Sequence, residues 1–128
     1  MIHLPECRTV FDAVELMISS EAWRYRHVEL RFPGGDFWVH IYPLFGQSDP
    51  YFDFAYTDRE PPENRLASLL VEFEQGQFID WCDGRLACLR IKGASKEHLV
   101  SAISRVAEEL FAQSPRSLDV YYEHETPA

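Results

Sequence analysis

A chain of 128 residues that is 46% hydrophobic and 26% charged is long enough to bury a core without disulfide or metal staples, and too apolar for a disordered tail. Its formal net charge of −9 argues against nucleic acid, which binds basic surfaces, and favours a basic partner. The acidity is concentrated: between Asp49 and Asp83, nine acidic residues stand against Arg59 and Arg65 alone.

The opening residues, MIHLPECRTVFDAVELMISS, lack the basic start and long apolar run of a secretory signal. No stretch approaches the roughly 18 consecutive apolar residues of a membrane span, so a cytoplasmic protein is expected. Cys7, Cys82 and Cys88 are odd in number and form no C-x-x-C pair, which predicts reduced, structural cysteines and no zinc site. No cofactor motif occurs, and no linker divides residues 1–128 into more than one domain.

In chain order, Thr9 caps a helix whose apolar positions Val10, Phe11, Val14, Met17 and Ile18 follow three-to-four spacing, ending near Trp23. Tyr25 to Phe32 and Phe37 to Tyr42 read as a hairpin joined by Pro33-Gly34-Gly35-Asp36. Pro43 to Pro50 breaks the chain, and Tyr51 to Thr57 alternates as a third strand. The paired prolines of residues 58–65, DREPPENR, predict a loop. Residues 66–93 carry turn signals at Gln75-Gly76 and Asp83-Gly84, which predict three more strands in a meander, although residues 64–73 are also compatible with a helix. Ser95 caps a second helix with Leu99, Ile103, Val106 and Leu110 on one face; Pro115 stops it, and Leu118, Val120 and Tyr122 alternate in a last strand. The expected fold is α+β, a mainly antiparallel sheet of about six to seven strands with an N-terminal and a C-terminal helix packed on one face.

The stretch FPGGDFWVHIY is apolar or aromatic on both sides. Pairing Phe32 with Phe37, Leu30 with Val39 and Val28 with Ile41 makes a core face. Strand alternation then sets Arg31 against Trp38, Glu29 against His40 and His27 against Tyr42 on the other face, with Tyr51 and Asp53 extending it. Rings mixed with Arg, His and acids are the composition enriched at protein interfaces. The predicted partner-binding residues are therefore Trp38, His40, Tyr42, Tyr51 and Asp53, with the loop acids Asp49, Asp58, Glu60 and Glu63. On the same face His27, Glu29 and His40 form a two-histidine, one-carboxylate set of the kind that holds iron or zinc, which gives an enzymatic alternative.

Catalytic motifs are otherwise missing: there is no G-x-S-x-G, H-E-x-x-H or phosphate-binding glycine loop. Cys88, followed by Arg90 and Lys92, is a weak candidate for a cation-activated thiol, with burial as the simpler reading. Pairing Phe73 with Phe78 and Trp81 with Leu86 predicts that Asp80 faces the core, where a carboxyl needs partners or a raised pKa.

In size, architecture and charge, though in no diagnostic motif, the chain resembles the immunity proteins, small acidic bacterial proteins that cover basic toxin surfaces. That resemblance implies a non-enzymatic inhibitor of a basic partner such as a toxin. The alternative within the binding class is a secretion or folding chaperone, which would engage an exported chain through an apolar groove or a sheet edge.

Overall fold

The first helix, α1 (Val10–Ser19), starts at a reciprocal cap. The Asp12 amide donates to Thr9 Oγ1 at 3.0 Å, and Asp12 Oδ2 accepts from the Thr9 amide at 3.2 Å and the Arg8 amide at 3.0 Å. Val10, Ala13, Val14 and Met17 are buried, whereas Phe11, expected on the core face, is 50% exposed with Lys96 Nζ 5.0 Å from its ring. Position 11 falls one residue off the buried stripe, where the long stem of Lys96 covers it in part. The chain is seen here as a computed structural model describing residues 2–19, 25–42 and 49–124, so the expected helix end near Trp23 and the break at residues 43–48 lie outside the described residues.

Among those residues the fold is α+β: one antiparallel sheet of seven strands and four helices. The strands are β1 (Ile2–His3), β2 (Tyr25–Phe32), β3 (Phe37–Ile41), β4 (Tyr51–Ala55), β5 (Gly76–Cys82), β6 (Leu86–Ile91) and β7 (Asp119–His124), in the spatial order β1-β7-β2-β3-β4-β6-β5. The hairpin register matches expectation at Phe32–Phe37, Arg31–Trp38, Leu30–Val39, Glu29–His40 and Val28–Ile41. Its turn uses Gly34 at φ 87°, a left-handed conformation that costs glycine little and other residues more. Two features were not anticipated: the two-residue β1, and the insertion of β7 between β1 and β2.

The segment expected as a strand at 64–73 is helical. Helix α2 (Pro62–Arg65) begins with a proline in its first turn, and α3 (Ala67–Glu72) follows. Leu66, Leu69 and Phe73 are buried at helical spacing while Val71 is 81% exposed, a pattern that no strand alternation produces. The helical crossing also removes the expected meander: β6 pairs with β4, and β5 is left at the edge.

Asp80 is not buried. The register of β5 on β6 shifts between Phe78 and Asp80, so Phe78 faces Leu89 but Asp80 faces Cys88, and Trp81 faces Ala87 rather than Leu86. This bulge takes up one residue and turns Asp80 outward, where its Oδ1 accepts from the Trp81 amide at 2.9 Å.

Ser95 Oγ accepts from the His98 amide at 3.2 Å and caps α4 (Lys96–Val106), which continues into a π-helical turn, Ala107–Phe111. The wider turn rotates the following positions, so Phe111 is buried against Phe32 and Phe37 at ring distances of 5.6 and 5.0 Å, and the expected Leu110 is only partly covered. One buried cluster joins Val14 and Met17 of α1 and Ile103 and Val106 of α4 to Val28, Leu30, Val39, Ile41, Phe52, Phe54 and Leu89 of the sheet. No described helix is long and apolar enough to cross a membrane.

Candidate functional site

Because strand side chains alternate between the two faces away from the bulges, the residues opposite the core positions share the other face of the sheet. One row of paired residues crosses all seven strands: His3, Tyr121, Glu29, His40, Asp53, Cys88 and Asp80. Trp38 and Arg31 lie on one side of this row, and His27, Tyr42, Tyr51 and Arg90 on the other. The sequence alone pointed to the β2, β3 and β4 members. It missed Tyr121, Cys88 and Arg90, whose alternation is visible in Ala87-Cys88-Leu89-Arg90 and Val120-Tyr121 but whose neighbours are set by long-range pairing.

The rings form a continuous strip. Trp38 and His40 are 4.6 Å apart between centroids, His40 and His27 4.9 Å, His27 and Tyr42 6.2 Å, and Tyr42 and Tyr51 5.1 Å. Tyr51 is exposed, and Trp38, His40 and Tyr42 are partly exposed. Arg31 lies over the ring of Tyr121, 4.3 Å from its centroid, at the distance of a cation–π contact.

The acids of this face are held in place. His40 Nε2 donates to Glu29 Oε1 at 2.5 Å, and Arg31 Nε bonds to Glu29 Oε2. Burial pushes the Glu29 carboxyl up, but the bonds from His40 and Arg31 outweigh it and hold it below the ordinary carboxylate value. The Tyr42 hydroxyl donates to Asp53 Oδ2 at 2.6 Å, and its pKa is raised first by burial and then by the carboxylate.

Asp53 also faces the buried Cys88, whose thiol is pushed well up by burial and by that carboxylate. This is the opposite of an activated thiolate, so Arg90 and Lys92 do not make Cys88 a nucleophile. Cys82 is exposed and therefore not a core cysteine, while Cys7 is intermediate. We expect Cys82 to react fastest with a thiol-specific reagent in the folded protein and Cys88 only on unfolding; Cys82→Ser should remove the fast phase, as read by absorbance or mass shift.

His27, Glu29 and His40 do come together on one face, but both Glu29 oxygens are taken by His40 and Arg31. Among the described residues no group of three His, Cys, Asp or Glu side chains is placed to hold a metal ion. The predicted loop acids are arranged differently from the strand residues. Asp49 lies two residues before the start of β4, whereas Asp58, Glu60 and Glu63 follow its far end. Asp58 accepts from the Glu60 amide at 2.9 Å and pairs with Arg65 at 3.5 Å, the Glu60 carbonyl accepts from the Tyr56 hydroxyl, and Glu63 is exposed on α2. Burial and then the nearby Asp58 and Glu60 raise the Tyr56 hydroxyl to about 12.

What the arrangement offers chemically is recognition: a strip of rings with one end at Trp38 and the other at Tyr51, and two carboxylates fixed beside it. Compared with known proteins, the chain matches no family model, and no curated protein and no solved structure shows significant similarity to it.

Proposed function

We propose that this chain is a cytoplasmic, non-enzymatic binding module that inhibits a basic protein partner, in the manner of an immunity protein, through the sheet face carrying Trp38, His40, Tyr42, Tyr51 and Asp53. In this reading the helices cover the opposite face of the sheet and leave the ring strip open. The observation that carries it is the strip itself, with the rings packed against one another and Glu29 and Asp53 bonded to their neighbours. Groups already ordered in the free protein lose little entropy on binding, and large rings supply contact area. The concentrated acidity of residues 49–83, including Asp49, Asp58, Glu60 and Glu63, attracts a basic surface and speeds its approach.

The test compares the wild-type chain with Trp38→Ala plus Tyr42→Ala as baits, followed by affinity measurement on the recovered protein at two ionic strengths. We expect one basic protein, bound at least tenfold more weakly by the double variant, with an association rate that falls as salt rises. Equal binding by both chains, or affinity and association rate indifferent to salt, would remove this reading.

The edge strand supports a second reading, the chaperone. Ile79 and Trp81 of β5 are 41% and 37% exposed, and the outer side of β5 has no strand partner among the described residues. An extended client segment pairing there is the β-addition mode of recognition.

A further inference from the structure

Away from the ring strip, a pocket of about 390 Å³ opens between the segment leading into α1 and the segment leading into β7, lined by Arg8, Pro33, Arg116, Ser117, Leu118 and Asp119. We propose that this pocket binds a phosphate group, with the guanidinium groups of Arg8 and Arg116 as its anchors.

Two backbone hydrogen bonds make the pocket a built feature of the fold. The Val10 amide donates to the Pro115 carbonyl at 2.9 Å and the Leu118 amide to the Arg8 carbonyl at 3.2 Å, which ties the two arginine-bearing segments together. Their positions are thus set by the backbone, although the residues are far apart in sequence.

Arg59, Arg85 and Lys92 have no ion pair among the described residues, and neither do Arg8 and Arg116; what the pocket adds is that it brings two such side chains to one lining. Arg31 is paired with Glu29, Arg65 with Asp58, Arg105 with Glu72 and Glu109, and Lys96 with Glu15. By contrast, Arg8 uses only Nε, towards the Pro5 carbonyl at 3.3 Å, and the Arg116 guanidinium has no hydrogen bond or ion pair among the described residues. The neighbouring acids are engaged elsewhere: Asp12 accepts the amides of Arg8 and Thr9, and Asp119 pairs with His3 at 3.5 Å. Two free guanidinium forks and the Ser117 hydroxyl suit the several acceptor oxygens of a phosphate, which planar forks bind in parallel pairs. Asp119, which also lines the pocket, can accept a hydroxyl of an attached group, so the ligand is either the free ion or a phosphomonoester of a small hydroxylated molecule.

The experiment titrates the full chain at low ionic strength with inorganic phosphate and, separately, with glycerol 3-phosphate, reading the backbone amide resonances around Arg8 and Ser117. We expect saturation at one equivalent. Binding should weaken at least tenfold in each of Arg8→Gln and Arg116→Gln and stay unchanged in Arg85→Gln, which alters an exposed arginine at the β5–β6 turn toward the opposite edge of the sheet. All three residues are exposed, so the variants should keep the wild-type fold, verified by their amide spectra. Tighter binding of glycerol 3-phosphate assigns a phosphomonoester, and tighter binding of inorganic phosphate assigns the free ion. The site is overturned if neither probe saturates, if binding survives either pocket substitution, or if Arg85→Gln weakens it equally.

Discussion

Phe54→Ala is expected to destabilise the protein by about 3–5 kcal/mol, the usual cost of removing a fully buried phenylalanine. Phe54 is 0% exposed on β4, in the interior of the sheet, pairing with Val39 on one side and Ala87 on the other. Its ring lies near those of Phe52, Tyr56 and Phe78, at 5.9, 6.3 and 6.4 Å. Phe52 is held by ladders on both sides, Phe78 by its pairing with Leu89 and Tyr56 by its amide hydrogen bond to the Arg85 carbonyl at 3.0 Å, so they collapse only partly into the space and the cavity term adds to the lost transfer energy. Since about 5 kcal/mol is a large part of the stability of a domain, thermal unfolding should move down by roughly 10–20 °C. A shift of only a few degrees in calorimetry would mean that the core relaxes far more than this packing allows.

Glu29→Ala should cost about 2 kcal/mol near neutral pH, the range for hydrogen bonds to a charged group, because it removes the acceptor of both His40 and Arg31. The effect carries a pH signature. The Glu29 carboxyl titrates lower in the folded chain than its ordinary value of 4.5. Its stabilisation is therefore fully present above that value and is lost as pH falls through the lower, folded value. Denaturant unfolding of the wild type and variant should differ most near neutrality and converge in acid. A difference that stayed constant into acid would show that Glu29 acts through packing rather than charge.

How much of this was legible in the sequence depends on the range of the interaction that decides each feature. The hairpin pairing of Phe32 with Phe37 and Glu29 with His40 follows from a local turn and strict alternation, so reading those residues was enough to place Trp38, His40 and Tyr42 on one face. The helices at residues 62–72 were obscured because LASLLVEF has apolar residues at both strand and helix spacings. What decided between them was the burial of Leu66 and Leu69 with Val71 left out, a tertiary effect. Asp80 was misplaced by one residue because a bulge leaves no local mark in FIDWC, and a shift of one flips every later side chain. Tyr121 could not be joined to the site before β7 was known to lie beside β2. The Arg8–Arg116 pocket was invisible for the same reason.

The polar row across the sheet takes its members from residue 3 to residue 121. In the spatial order, β7 joins the first two strands only after every other strand has been made. During synthesis, then, Glu29, His40 and Asp53 can pair early, but Arg31 finds Tyr121 only when nearly the whole chain has emerged. Contacts this distant in sequence close slowly. A ligand needing the complete row would distinguish nearly finished molecules from shorter nascent or clipped ones, since no fragment that lacks any part of residues 3–121 carries it.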